Sequence, residues 1–481
     1  MASAPDEPRS AVAGPDVRAT VGRAWTSVGL DPRALQALEL EGTRPALPSS
    51  FAVSHAAQAA IALAALAAAE IWHRRGGRRQ QVAVDLRHAA IEARSDRYFA
   101  IDGHAITVGD PLTGLYRCGD GGWVRIHANF AHHRDGALAL LGCGPSRDAI
   151  TAALRGHSAL GFEEAAAASG LPIVALRSTA EWNAHPQGQA VAALPLLSVT
   201  RIGEAPPRTL RRQDAGSPAE RPLAGVRVLE LTRILAGPVA GRTLAAHGAD
   251  VLLVNSPSLP NIEAVPDVSR GKLSTHIDLR DRGGQAALES LLETADVFLQ
   301  GYRPGSLAAH GLGPQALARR HPGIVCASLS AWGPEGPWRQ RRGFDSLVQT
   351  AAGFNLDEAQ AAGEVTPKPL PTQILDHAAG HLLAFGIGAA LLRRATEGGS
   401  WQVLVSLAQV AAWLRSLGRV AGGFDVADPG RDDVRDLLET VPSGFGALTA
   451  VRHAARMSET PPGWHRPAVP LGASQPRWPD E

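Results

Sequence analysis

The pattern of apolar and polar positions changes character near residue 221. Beyond it, short apolar runs alternate with stretches of helical period. Strands are predicted at 226–231, 249–254, 296–300 and 324–330, with helices at 237–247, 282–294 and 314–320 between them. A helix of small residues at 377–394 and a strand at 402–407 follow. Alternation of this kind predicts a parallel sheet with helices on its faces, and ligands at the carboxyl ends of its strands. Residues 352–371, rich in Gly and Pro, read as a loop.

Upstream, the periods are mixed. An Ala-rich helix is predicted at 51–75, then a turn, a strand at 80–86 and a helix at 88–98. A hairpin follows at 115–127, turning on Asp120-Gly121-Gly122. Helices at 132–141, 147–154 and 162–169, a strand at 171–176 and a helix starting at 180–185 complete a small α/β unit. The expected fold class is therefore α/β: a parallel Rossmann-like sheet with flanking helices plus a smaller α/β domain. The expected divisions are a leader at 1–47, with one short helix at 32–40, and a helix-strand segment at 48–98. A small domain at 99–200, a linker at 201–221, a large domain at 222–420 and a closing segment at 421–481 follow.

Two stretches echo one another. Ser54-His55-Ala56-Ala57, a helix, a Gly-rich turn and the strand from Gln81 match Asp376-His377-Ala378-Ala379, a helix, Gly398-Gly399 and the strand from Gln402. One gap brings them into register, and the first copy carries Ser54 where the second carries Asp376.

Composition narrows the classes. The 481 residues are 45% hydrophobic with a net charge of +1, which argues against a nucleic-acid or anionic-membrane partner. Nearly all the positive charge is Arg, since Lys272 and Lys368 are the only lysines. Cys118, Cys143 and Cys326 are far apart, with no metal or disulfide spacing, so no metal site and a reducing cytoplasm are expected. No signal peptide is read at the N-terminus. The apolar run at 56–71 is short and ends at Glu70, so it reads as a buried helix, not a membrane span.

Candidate chemistry centres on Asp376. At a helix start an Asp can cap the helix with its own oxygen, where the dipole also favours a carboxylate. The same position suits a carboxylate nucleophile. A dinucleotide site is not supported: Ala236-Gly237-Pro238-Val239-Ala240-Gly241 is not G-x-G-x-x-G, and no acid closes the second strand.

Many short blocks, in order, carry a resemblance. They include Leu229-Glu230-Leu231-Thr232 with Ala236-Gly237-Pro238, then His247-Gly248-Ala249-Asp250-Val251 and Arg270-Gly271-Lys272. Tyr302-Arg303-Pro304-Gly305 with Gly311-Leu312-Gly313, and Gly343-Phe344-Asp345 with Gln349, lead on to Asp376. Residues 221–481 thereby resemble the family III CoA-transferases, the superfamily that includes formyl-CoA and carnitine CoA-transferases and α-methylacyl-CoA racemases. Residues 51–96 resemble the region that follows the family's nucleophile, and 112–190 its small domain, both placed before the core instead of after it.

The resemblance implies an interlocked homodimeric fold and an acyl-CoA thioester as substrate, with no permanently bound cofactor. It implies Asp376 as nucleophile in moving CoA to a small carboxylic acid through an aspartyl covalent intermediate. By position it implies CoA contacts at Leu235, Ala236, Ile277, Arg280, Gly301, Tyr302, Arg303, Arg342, Phe344 and Asp345, with Arg280 and Arg342 facing phosphate. Asn255-Ser256, Gly301 and Phe344 depart from the family pattern; Phe344 stands where transferases often have Tyr and racemases have His. The glycine-rich substrate loop has its nearest candidate at 103–114. Two other readings stay open: a 2-methylacyl-CoA racemase or isomerase, and a non-catalytic CoA-binding subunit.

Overall fold

In the computed structural model, residues 15–210 and 221–479 are described. The framework is a seven-stranded sheet. Its strands, in chain order, are β1 (Leu197–Gly203), β2 (Arg227–Leu231), β3 (Asp250–Asn255), β4 (Leu273–His276), β5 (Val297–Gln300), β6 (Val325–Ser330) and β7 (Ser400–Ser406). The spatial order is β4-β3-β2-β5-β6-β7-β1. Every pairing is parallel except that of β1 with β7. From β2 the chain runs outward to β3 and β4, then returns to β5 on the other side. That reversal leaves a crevice at the carboxyl ends of β2 and β5.

Strand β1 lies where the small domain meets the linker in the sequence reading, and it is the antiparallel edge of the large sheet. Strand β4 was not anticipated. Its Ser274, Thr275 and His276 give it no apolar period, yet it pairs along β3.

Two long helices form the centre of the molecule. The first, α1 (Val53–Arg74), packs against the helix that follows the 352–371 stretch, here called αN (Ile374–Glu397). Small residues let them approach closely: a Cβ on Gly388 would lie 2.9 Å from that of Ala67. Both are long and apolar enough to cross a membrane, but 94% and 100% of their apolar windows are buried inside the fold, as core helices are. The two echoing segments thus pack on each other.

The small domain is a three-stranded sheet, Gly114–Arg117, Trp123–Ile126 and Ile173–Ala175, covered by helices Ala131–Leu141, Arg147–Leu154 and Ala159–Ala168. Residues 100–105 belong instead to a four-stranded sheet with the closing segment. The closing segment also adds Ala455–Met457 to the strand Val82–Asp85, antiparallel.

Two expectations need correction. The leader contains a helix, Val17–Ser27, anchored by the buried Trp25, which stacks on Phe385 at 5.8 Å. The stretch 352–371 is not all loop, since it holds the helix Phe354–Ala362. That helix is framed by Gly353 (φ 87°) and Gly363 (φ 69°), so the glycines that suggested a loop are its two caps.

Candidate functional site

Asp376 is the third residue of αN, and Gln373 stands at its N-cap with no side-chain capping bond. The capping interpretation of Asp376 is therefore corrected: the carboxylate that serves the helix start is Asp345. Its Oδ2 accepts the N–H of Asp376 at 3.0 Å, and its Oδ1 accepts from Gln349 Nε2. Gln349 is fixed in turn by the N–H of Leu370, 3.0 Å from its Oε1. Asp345 opens the helix Asp345–Ala351, so two helix starts meet head to head at the two carboxylates.

Among the described residues the Asp376 side chain makes no such bond, and it is 6% exposed. Burial first, then the charges of Asp345 and Asp96, push its carboxyl well above the ordinary aspartate range. Burial raises Asp345 to about 6 against the lowering effect of its amide donors. Asp96 comes from the N-terminal segment and contacts His377, with Oδ1 to Nε2 at 3.2 Å. Its neighbour Ser95 donates to Asp267 at 2.6 Å, a carboxylate that also holds Arg242 and Arg270. The segment after the degenerate first copy thus reaches under the helix that carries Asp376.

A cavity of about 620 Å³ opens beside Phe344, immediately before Asp345. Its walls come from the ends of β2 (Arg233, Ile234) and β5 (Gly301, Tyr302, Arg303), from Arg342 and Phe344, and from the small domain (Phe130, His132, His133). This is the crevice created by the reversal of strand order. Ile234 has φ 76°, a region that a β-branched side chain enters only under strain. Strain of this kind clusters at functional sites. Burial pulls the Arg233 and Arg342 guanidinium values down, and two such cations with Arg303 make the cavity attractive to phosphate.

Of the sequence candidates, Gly301, Tyr302, Arg303, Arg342 and Phe344 come together in this cavity. Asp345 lies behind Phe344, fully buried. Leu235 and Ala236 follow the strained Ile234 but are covered, 2% and 3% exposed. Ile277 packs in the apolar core beside β2 and β3. Arg280 points to solvent, paired with Asp278 at 2.6 Å, and does not line the cavity. The candidate loop 103–114 reaches the same region, where Val108 packs with Phe130, Ile234 and Phe344.

Sequence reasoning missed Arg233, Phe130, His132, His133, His127 and Asp96. Arg233 was findable, since it sits two residues past a predicted strand end. The others belong to the N-terminal half, and only the tertiary fold brings them here. The His127 ring stacks on Phe344 at 3.7 Å. Burial pushes His127 and His133 down to about 3, so both rings are neutral. The small domain is tied to the large one by Gln187, whose side chain bonds the backbone of Trp332, Glu335 and Trp338.

Comparison with known proteins gives the chain relatives. Residues 223–431 match the model of CoA-transferase family III. An acyl-CoA transferase of Gibberella moniliformis is 30% identical over 410 residues, covering 76% of this chain and 70% of that protein. A succinate–glutarate CoA-transferase of Agrobacterium fabrum is 31% identical, covering 39% of this chain and 52% of its own length. The chain spans about half the length of most of the curated relatives it matches. Among solved structures, Rv3272 from M. tuberculosis is 35% identical, covering 41% of this chain and 59% of that chain, with a TM-score of 0.38.

Proposed function

The chain belongs to CoA-transferase family III, and from that premise we propose that it moves CoA from an acyl-CoA thioester to a carboxylic acid, with Asp376 as the covalent nucleophile. The observation that carries the proposal is the placement of Asp376. It is a buried carboxylate at a helix start, with no cation paired to it among the described residues, held by its backbone N–H to Asp345, whose chain neighbour Phe344 lines the Arg-rich cavity.

In this reading Arg233, Arg303 and Arg342 hold the CoA phosphates and Tyr302 flanks the ligand. An Asp376 oxygen attacks the thioester carbonyl carbon, the C–S bond breaks, and CoA leaves as thiolate from a mixed anhydride. The thiolate attacks the Asp376 carbonyl carbon of that anhydride, releasing the first acid as carboxylate and leaving an aspartyl-CoA thioester. The acceptor carboxylate attacks this thioester and expels the thiolate again. Attack of the thiolate on the acceptor's carbonyl then restores the Asp376 carboxylate. No net proton is consumed, and one hard exchange becomes a series of easier ones. The assembly proposed with this chemistry is a homodimer, which light scattering would read.

Asp376→Asn tests the assignment. The variant should keep or gain thermal stability, because an amide replaces a carboxyl crowded by Asp345 and Asp96. It should lose CoA transfer and the adduct that borohydride traps at residue 376. Full transfer by Asp376→Asn would end the nucleophile assignment.

A further inference from the structure

Pro461-Pro462-Gly463-Trp464 of the closing segment takes no part in the transfer chemistry, yet it walls a cavity of about 720 Å³. That is larger than the cavity beside Phe344, and no residue lines both. The volume lies within the roughly 300–1,000 Å³ of small-molecule sites.

Much of the wall is flat and apolar. Trp464 is fixed from two directions. Its Nε1 donates to the Arg242 carbonyl at 3.0 Å, and the Arg270 guanidinium lies 3.9 Å from the centre of its ring. Arg270 is 2% exposed and bonded to Asp267 and the Val451 carbonyl, so it backs the indole and is already engaged. Pro442, Pro461, Pro462, Pro467 and Met457 add further apolar surface. Rigid rings around a cavity suit a flat, rigid ligand, which loses little freedom on binding.

Charge at this cavity is one-sided. Arg270, Arg452, Arg456 and Arg466 line it, and Glu439 is the one carboxylate among the lining residues. Arg456 and Arg466 are paired with Glu41 at 2.5 Å and Asp250 at 2.7 Å, both outside the lining. Arg452 makes no ion pair among the described residues, and its guanidinium bonds only the Asp436 carbonyl. Most of its N–H donors are therefore left over. Next to it, His453 Nδ1 accepts the Ala455 N–H at 3.1 Å, which puts the proton of the neutral ring on Nε2. That Nε2 is buried and has no partner among the described residues. A buried donor in this state is unfavourable until an acceptor reaches it.

We propose that this cavity is a second ligand site, separate from the acyl-CoA cavity, and that it takes a small aromatic acid whose ring lies against Trp464 and the prolines and whose carboxylate meets Arg452 and His453. A guanidinium accepts a carboxylate bidentately, and the imidazole adds one more donor. A bare phosphate gains nothing from the apolar wall, and a neutral ring leaves Arg452 without its anion. Both parts of the ligand are needed. The site uses neither Asp376 nor the residues of the acyl-CoA cavity, so it is independent of the transfer mechanism.

The test uses 4-benzoylbenzoate, a two-ring aromatic acid that photolabels what it touches, and its neutral counterpart 4-benzoylbenzyl alcohol. Titration calorimetry on the full chain should show the acid binding at least tenfold tighter than the alcohol. Irradiation should place the label within residues 439–468. Arg452 is exposed, so Arg452→Gln should fold, weaken the acid at least tenfold and leave the alcohol unchanged. Arg452→Lys keeps the charge and should restore part of the affinity. Label confined to residues 301–344 would put the acid in the acyl-CoA cavity and overturn the inference. Equal binding of acid and alcohol, or undiminished binding of the acid by Arg452→Gln, would overturn it as well. Inorganic phosphate that displaces the acid completely at equal concentration would show that charge alone is read, and would overturn the aromatic class.

Discussion

Replacing Asp345 by Asn removes one charge from a buried carboxylate cluster while conserving shape, and its effect depends on pH with a defined sign. Asp345 is fully buried, and burial raises its carboxyl from 3.8 to about 6. A raised folded value means that the native state keeps a proton which the unfolded chain releases first. The resulting stabilisation is complete below pH 4 and is lost as pH rises through about 6. The gap between the two values corresponds to about 3 kcal/mol. Between pH 4 and 7, wild type should thus lose about 3 kcal/mol more urea stability than Asp345→Asn, which has no such proton. The variant also carries a pH-independent loss, because an amide cannot accept from both Asp376 N–H and Gln349 Nε2. One donor left facing an NH₂ group costs about 1–3 kcal/mol. Asp345 is also one cause of the elevated Asp376 value, so Asp345→Asn should move the acid limb of adduct formation at Asp376 to lower pH. Stability curves of the two proteins that run parallel across this range, within about 0.5 kcal/mol, would refute the electrostatic account of the cluster.

Other outcomes follow from the packing. Ser54 in the echo segment accepts the Ala46 N–H at 3.2 Å and does no chemistry, so Ser54→Ala should cost about 1 kcal/mol in thermal unfolding and leave transfer within a few-fold. Residues 221–481 expressed alone should be insoluble or inactive, because αN loses its cover α1 and β7 loses its neighbour β1. Transfer at the full rate by that fragment would make the N-terminal half an accessory.

The parts of the fold legible in the sequence are those with a strong period or strong burial. Strands β2, β5 and β6 are apolar runs because helices cover both faces of the sheet. Strand β4 escaped notice because it lies at the sheet edge and carries Ser274 and Thr275, which pair through backbone alone. The helix Phe354–Ala362 was hidden by its own capping glycines. The cavity was partly legible, since Gly301-Tyr302-Arg303 and Arg342-Gly343-Phe344 follow strands and turns in order along the chain. Arg280 misled because its Asp278 neighbour satisfies it locally. Asp96 was invisible for a different reason. Its partner His377 lies far along the chain, and no local pattern encodes such a meeting.

The same long-range meeting sharpens the question of racemisation. Moving a proton at the α-carbon of an acyl-CoA needs a base and an acid with values near the working pH. Phe344 cannot serve, and from the sequence the remaining histidines, His377 and His381, lie on the helix of Asp376 itself. The fold adds three more, His127 against Phe344 and His132 and His133 in the cavity wall. Proximity alone would make them candidates. Burial pushes His127 and His133 down to about 3, however, and lowers His132 as well, which disfavours the protonated form of all three. His381 lies at about 3 as well. Asp376, with its raised value, could remove an α-proton, but imidazoles whose protonated form is disfavoured are poor groups to return one. Incubation with a 2-methylacyl-CoA in deuterated water should therefore introduce deuterium at the α-carbon no faster than buffer does. Incorporation at a catalytic rate, lost in His127→Ala or His133→Ala, would show that a bound thioester raises those imidazoles into range.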